Sequence, residues 1–335
     1  MFVSSPFYRI KAITERRKLP VPGDLNESLE RASYALDTES MDIRPQGSDG
    51  EPGGLVLLRS LPTIIVPDLH ARIGYLKALL SWSPPGENFT VYQGLSLGKL
   101  QVVCVGDGFH AEVRGIQRWQ RAFEEFSLDF KKHKAMDEEM RESLGVMMIV
   151  MELKSAFPGY FHFLKGNHEN IANENSLDNR SFRKFVYEGA MVTSWFHKFM
   201  EEETFIKYYN FEKKLPVFAV GNRFCVTHAE PRKHHRKHEL IEAMIHREIV
   251  FDLTWTANGE AEVNSVTGYL EEYFPDDLQA VMFGGHRPVA GCFNVRANGR
   301  YLQIHNPGRY IAAYIRDMSD FSTERDILIL PEKGV

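Results

Sequence analysis

Seven side chains able to bind metal or move protons stand just after short apolar runs. Asp68 and His70 end TIIVPDLH, and Asp107 follows QVVCV in VGDGFH. Asn167 and His168 follow YFHFL in LKGNHEN, His228 follows RFCVT, and His286 follows AVMF in FGGHRP. Carboxylate oxygen, amide oxygen and imidazole nitrogen form a donor set that suits Mn, Fe, Zn or Mg. Asp68 and His70 are two residues apart, so on an extended segment they point the same way. The remaining gaps are long. Each donor therefore comes from a different loop, and a site can form only where several strand ends meet. A lone histidine after a strand is usually a surface or core residue. Recurrence of the pattern in five successive turns is what carries the signal.

The elements that must position these residues are legible as alternating strand and helix patterns. Strands are predicted at 55–58, 63–66, 101–105, 160–164, 217–220, 223–227, 280–283, 301–304 and 310–315, with helical stretches between them. This predicts an α/β domain over 55–335 whose functional turns lie at the carboxyl ends of strands. RIGYLKALLSW sets Ile73, Leu76, Leu79 and Leu80 on one helical face. The segments 113–155 and 176–209 read as helical insertions that flank or cap the core. In the second, Phe182, Phe185, Trp195, Phe196 and Phe199 recur at helical spacing and are expected to be packing residues. Residues 1–54 end in RPQGSDGEPGG and read as a peripheral segment with a helix near Asn26–Asp37.

Composition excludes several classes. Of the 335 residues, 43% are hydrophobic and 25% charged, which is incompatible with dominant disorder. The longest apolar stretches are about half a dozen residues, too short for a membrane-crossing helix. The net charge of −5 gives no reason to expect a nucleic-acid partner. Cys104, Cys225 and Cys292 are scattered among apolar residues and read as free thiols of a reducing compartment. With no secretory h-region at the N-terminus, the expected location is the cytoplasm.

The motif order D-x-H, G-D, G-N-H-E, H, G-H resembles the calcineurin-like metallophosphoesterase superfamily over roughly residues 60–316. The resemblance implies a two-layer β-sandwich flanked by helices and a site for two divalent metal ions, with Mn, Fe, Zn and similar ions as candidates. Carried over, Asp68, His70 and Asp107 would hold the first ion. Asp107, Asn167, His228 and His286 would hold the second, and Asp107 would bridge. His168 would protonate or polarise the leaving oxygen, with attack by a hydroxide bridging the ions. The sequence Gly285-His286-Arg287-Pro288 lacks the second histidine of G-H-x-H. LKGNHE and FDLTWTAN are similar to segments of the serine/threonine protein phosphatase (PPP-like) branch.

The departures from that branch concern phosphate. Its G-D-x-x-D-R-G becomes Gly106-Asp107-Gly108-Phe109-His110-Ala111-Glu112, so His110 replaces an aspartate and Ala111 an arginine. Positive partners for a phosphate dianion are then sought at Arg287, Arg309 and Arg72, with Arg232 also near. His110 would touch phosphate or orient His168, and Glu169 would hold a histidine in place. The basic run PRKHHRKH (231–238) reads as the solvated start of a helix. The expected partner is a phosphorylated substrate, either phosphoprotein or a small phosphate ester. The expected reaction is phosphomonoester hydrolysis. Two alternatives stay open: a nucleotide or dinucleoside polyphosphate hydrolase, and a non-catalytic metal-binding module.

Overall fold

Successive residues of a strand face opposite sides, and here both faces of nearly every strand are apolar. The computed structural model describes residues 5–174 and 176–331. Its strands are β1 (Leu55–Leu57), β2 (Thr63–Val66), β3 (Gln101–Cys104), β4 (Phe161–Phe163), β5 (Phe218–Val220), β6 (Phe224–Thr227), β7 (Val281–Gly284), β8 (Asn294–Arg296), β9 (Tyr301–Gln303), β10 (Ile311–Ile315) and β11 (Ile327–Ile329). They form two sheets, ordered β1-β5-β6-β7-β9-β8 and β11-β10-β2-β3-β4.

Strand alternation divides the side chains into three apolar layers. Ile65, Val103, Val105, Val226, Phe283 and Leu302 interlock between the sheets. On the far side of the five-stranded sheet, Ile64, Val66, Val102 and Cys104 meet helices. On the far side of the six-stranded sheet, Leu55, Phe218, Cys225, Met282 and Tyr301 do the same. The result is the expected β-sandwich flanked by helices.

The first helical layer holds α1 (Pro6–Glu15), α2 (Pro22–Asp37), α3 (Ile73–Ser81), α4 (Val91–Ser96), α5 (Ile116–Ser127), α6 (Lys134–Ala156), α7 (Glu188–Phe199) and α8 (Glu202–Lys213). The second holds α9 (Lys237–Ile241), α10 (Arg247–Thr254) and α11 (Ser265–Tyr273).

Strand direction is what builds the site. β2, β3 and β4 run parallel, and so do β6, β7 and β9. Parallel neighbours end on the same edge of a sheet. The turns after β2, β3 and β4 carry Asp68 with His70, Asp107, and Asn167 with His168. The turns after β6 and β7 carry His228 and His286.

The nine strands predicted from apolar runs all occur, within a residue or two. β8 and β11 were not predicted. β8 reads NVR at a sheet edge, with Asn294 and Val295 exposed, so it shows no apolar run. The helical reading of 113–155 resolves into α5 and α6, broken near Asp129 and Phe130, which have φ of 53° and 50°. In 176–209 only α7 and α8 are helical, and 176–187 is a loop. Among the cysteines, Cys104 and Cys225 are buried, Cys292 is half-buried, and all three are free thiols.

The segment read as peripheral contributes two helices to the first layer. Leu25, Leu29, Ala32 and Leu36 recur on one face of α2 and are buried in the core that α6 also lines. Glu152 of α6 accepts from Ser28 Oγ at 3.0 Å and from Arg9 Nε at 2.6 Å, and also from Arg31. A buried carboxylate satisfied in this way ties both N-terminal helices to the domain. Leu29→Ala is therefore expected to lower the free energy of unfolding by about 2–5 kcal/mol. Urea denaturation followed by circular dichroism measures this, and a loss of well under 1 kcal/mol would mean that α2 is not part of the core.

Candidate metal centre

Asp107 Oδ2 is the meeting point of the site. It lies 3.6 Å from His70 Nε2 and 3.4 Å from His228 Nε2. His70 Nε2 is also 3.9 Å from Asp68 Oδ2. On the other side, Asn167 Oδ1 is 3.0 Å from both His228 Nε2 and His286 Nδ1. The six residues expected to hold metal thus converge, with Asp107 between the group of Asp68 and His70 and the group of Asn167, His228 and His286.

The ring orientations are set by carbonyls behind the site. His70 Nδ1 lies 3.0 Å from the His110 carbonyl and 3.2 Å from that of Phe109. His228 Nδ1 lies 3.0 Å from the Val105 carbonyl. A carbonyl only accepts, so each Nδ1 carries the proton, as assigned from the hydrogen-bond network. Each Nε2 then presents a lone pair inward, as a metal ligand requires. His286 Nε2 is buried and has no hydrogen-bond partner among the described residues.

The backbone is bent to make this happen. His70, Asp107, His110 and His286 have φ of 42°, 53°, 65° and 63°. Such left-handed values in non-glycine residues cost free energy and cluster at functional sites. Two glycines are required by close approach. A Cβ on Gly285 would collide with Asp68 Oδ1, and one on Gly166 with Asp107 Oδ1.

Glu169 holds the loops together rather than a histidine. Its carboxylate accepts the backbone N–H groups of Asp107 at 2.8 Å, Gly108 at 2.7 Å and Gly166 at 2.7 Å. The N–H of His168 donates to Asp107 Oδ1 at 2.9 Å.

The electrostatics call for cations. Burial, followed by the charges of Asp68 and Glu169, pushes the Asp107 carboxyl well above its ordinary range. Burial also pushes the His228 imidazole down to about 4. Carboxylates crowded in low dielectric repel one another, and neutral imidazoles beside them are competent ligands. Donor type and the inward lone pairs of His70 and His228 fit divalent metal. Among the described residues, three groups of donor atoms, each within 4.8 Å, could hold an ion: Asp68, His70 and His305; His70, Asp107 and His168; and Asp107, His228 and His286.

Above the centre lies a cavity of about 340 Å³, lined in part by His70, His110, His168, Phe182, Trp255 and Arg287. His168 Nε2 is 3.8 Å from Asp107 Oδ2. Its Nδ1 is 2.8 Å from His110 Nδ1. Only one of these two nitrogens can carry the proton. His110 Nε2 is buried without a partner, and a buried unpaired acceptor is more tolerable than a buried unpaired N–H. His110 therefore donates from Nδ1, and the proton of His168 sits on Nε2, on the metal side. Burial and the neighbouring imidazole of His70 depress both rings, His110 to about 3 and His168 well below the ordinary range.

The four candidate phosphate partners separate. Arg287 is exposed at the cavity lining, and His110 lines it while committed to His168. Arg72 is not at the mouth. It is buried, and its guanidinium donates to the carbonyls of Asp68, Leu69, Asn306 and Arg309, which knits the turn after β2 to the loop after β9. Arg309 is exposed and does not line the cavity. In the basic run, His234 pairs with Glu272 at 2.7 Å and His235 with Asp252 at 3.1 Å, away from the cavity.

Sequence reasoning missed the loop 176–187. Arg183 and Lys184 line the cavity, and the ring of Phe182 sits 3.7 Å, centroid to centroid, from that of His168. Helical spacing of aromatics suggested packing. It holds for Trp195 and Phe196 in the core, while Phe182 covers the site. It also passed over Glu112 and His305. His305 had the same signal as the others, a histidine just after the apolar run YLQI.

A protein serine/threonine phosphatase from Saccharomyces cerevisiae, with similarity to human phosphatase PP5, superposes with a TM-score of 0.60. The match covers 97% of this chain and 95% of that one at 13% identity. The chain shares the fold of that phosphatase. A cold-active protein tyrosine phosphatase matches at a TM-score of 0.45 and 12% identity over 83% of this chain and 78% of that one. A Shewanella cold-active protein-tyrosine phosphatase matches at 0.46 and 11% over 79% and 78%. No protein-family model matches the chain, and none of the curated proteins does. No helix among the described residues is long and apolar enough to cross a membrane.

Glu169→Gln would leave one acceptor oxygen and set an amide NH₂ against backbone N–H groups. It is expected to destabilise the fold by about 2–4 kcal/mol and to weaken divalent metal binding by roughly tenfold or more. Denaturant midpoints and a metal titration check this. Wild-type values in both would show that Glu169 does not hold the two loops in place.

Proposed function

We propose that the chain is a metal-dependent phosphoesterase that hydrolyses phosphomonoesters at a dinuclear centre held by Asp68, His70, Asp107, Asn167, His228 and His286. The observation that carries this reading is the position of Asp107 Oδ2 between two sets of inward-facing donors, with His168 beside it. Two divalent ions bound there would supply Lewis-acid polarisation of the phosphoryl oxygens and an acidified water.

The residues of the chain supply the rest. His168 bears its proton on Nε2 and presents it to the leaving oxygen, while His110 fixes the ring through Nδ1. In the PPP-like branch an aspartate stands at that position. A neutral histidine partner does not stabilise an imidazolium, so His168 works here as a neutral hydrogen-bond donor that polarises the leaving oxygen, which takes its proton from water. Arg287 and Arg183, at the cavity lining, supply positive charge for the phosphoryl oxygens. Asp107 is a ligand, and no covalent phosphoenzyme is formed.

Phe182 and Trp255 line the same cavity, with ring centroids 5.8 Å apart. Two aromatic faces over the site favour a substrate with a flat ring. This supports nucleotide or dinucleoside polyphosphate hydrolysis as the second reading.

The test is hydrolysis of para-nitrophenyl phosphate by metal-stripped protein reloaded with Mn²⁺, run beside Asp107→Asn. Turnover is expected to need both the metal and Asp107. Turnover that survives Asp107→Asn would remove the bridging role, and two tightly bound ions without turnover on phosphate esters or nucleotides would leave a binding module. His168→Asn is expected to cut kcat by roughly 10²–10⁴-fold at unchanged metal content. An unchanged kcat would sink its assignment as the hydrogen-bond donor to the leaving oxygen.

A further inference from the structure

The parallel strands β6, β7 and β9 end side by side, and the turns after the first two deliver His228 and His286. The turn after β9 delivers His305, which is fully buried. Its Nε2 lies 2.8 Å from Glu112 Oε2, and its Nδ1 lies 3.5 Å from Asp68 Oδ2. That Nδ1 is buried and has no hydrogen-bond partner among the described residues. The other oxygen of Glu112 receives Lys184 Nζ at 2.8 Å, so the carboxylate is held from both sides.

The proton assignment follows from these contacts. Glu112 accepts a hydrogen bond from Nε2–H, which leaves a lone pair on Nδ1 of the neutral ring. A lone pair aimed at a buried carboxylate is repulsive when nothing lies between them. A cation between the two turns the contact into a shared coordination. His305, Asp68 and His70 bring one donor atom each within 4.8 Å of one another. Carboxylate, imidazole and metal in this order is a recurrent way to fix a ligand ring.

We propose that His305 Nδ1 is a further ligand of the ion held by Asp68, His70 and Asp107, with Glu112 as the positioning residue for its ring. This rests on the dinuclear reading above. It gives that ion a third loop of the six-stranded sheet, so both sheets grip it. The competing role is purely structural: a protonated His305 as an ion pair between Glu112 and Asp68.

Gln at position 305 separates the two roles. Its amide reaches the place of Nε2 and still donates to Glu112, but it offers nothing where Nδ1 stood. Metal-stripped full-length protein is titrated with Co²⁺, read by the visible absorption of the bound ion and by metal content after desalting. Wild type is expected to hold two ions per chain. His305→Gln is expected to keep one and to bind the other roughly 10–100-fold more weakly, with a changed visible band. His305→Asn, whose amide oxygen falls near the place of Nδ1, is expected to recover part of that loss.

Two ions at unchanged affinity and with an unchanged spectrum in His305→Gln would overturn the proposal in favour of the ion pair. Should both His305 variants fail to fold by circular dichroism, Glu112→Gln decides. It is expected to weaken one site several-fold and spare the other, and unchanged affinity at both overturns the proposal. A wild-type chain that binds no Co²⁺ overturns this inference and the dinuclear reading together. Two ions in wild type, one in His305→Gln and no hydrolysis in either would overturn the phosphatase reading alone.

Discussion

The carboxylate of Glu169 is the tie on which the centre depends. Backbone N–H groups from two separate turns, after β3 and after β4, end on its two oxygens. These turns carry Asp107, Asn167 and His168, so three residues of the site are placed by one side chain. Its own position is secured from below, because Lys165 Nζ donates to the Glu169 carbonyl at 2.7 Å and to the Glu212 carbonyl at 3.3 Å. Burial opposes the charge of such a carboxylate, and three convergent N–H groups favour it. That balance fixes Asp107 in a left-handed conformation it would not otherwise keep. The strain is repaid because Asp107 Oδ2 then faces donors from both sheets.

The loop after β3 shows how one change in a motif propagates. With His110 in place of an aspartate, the partner of His168 is a neutral ring rather than a negative charge. The adjacent Ala111 cannot reach a phosphate, and its buried methyl packs under the site instead. Its backbone is used: the N–H donates to Glu139 at 2.8 Å and the carbonyl accepts from Trp119 Nε1 at 2.8 Å. Glu112 then turns a position that is glycine in the branch into a third carboxylate near the centre. Lys184 and His305 answer that charge, which is why the loop 176–187 is drawn down over the cavity and Phe182 lies on His168.

Local pattern reveals what depends on local chemistry. Apolar runs of four to six residues marked nine strands because each of those strands is buried on both faces. β8 is an edge strand with an exposed face, so its composition carries no such mark. The donors Asp68, His70, Asp107, Asn167, His228 and His286 were readable because each follows a strand in a turn of special type. His305 carried the same mark and was passed over, because its meaning lies in Glu112, 193 residues away in the chain. The loop 176–187 misled for a related reason. Its aromatics repeat at helical spacing, but a buried Glu188 takes the N–H groups of Lys184, Phe185 and Val186. Those bonds close a turn ahead of α7 and release Phe182 to the site. Arg72 looked like a phosphate partner by position, and only the carbonyls around it show that it is a structural cation.

On the proposed function, charge balance would move phosphate recognition outward. Asp68, Asp107, Glu112 and Glu169 bring four carboxylates into one buried region. Arg72, Lys165 and Lys184 answer them, but each is already engaged with carbonyls or, for Lys184, with Glu112. Of these three cations, Lys184 alone lines the cavity, and it is paired with Glu112. Cations bound between Asp68 and Asp107 would relieve the repulsion that pushes the Asp107 carboxyl up, and their field would reach the cavity floor. A phosphoryl group seated on that floor still needs charge on its outer side. Arg183 and Arg287 are placed there, on exposed loops where they cost no desolvation before substrate arrives. A clamp built from exposed surface arginines discriminates less by geometry than a buried bidentate one. On the proposed function, selectivity would then fall to side chains that line the cavity, Phe182 and Trp255 among them.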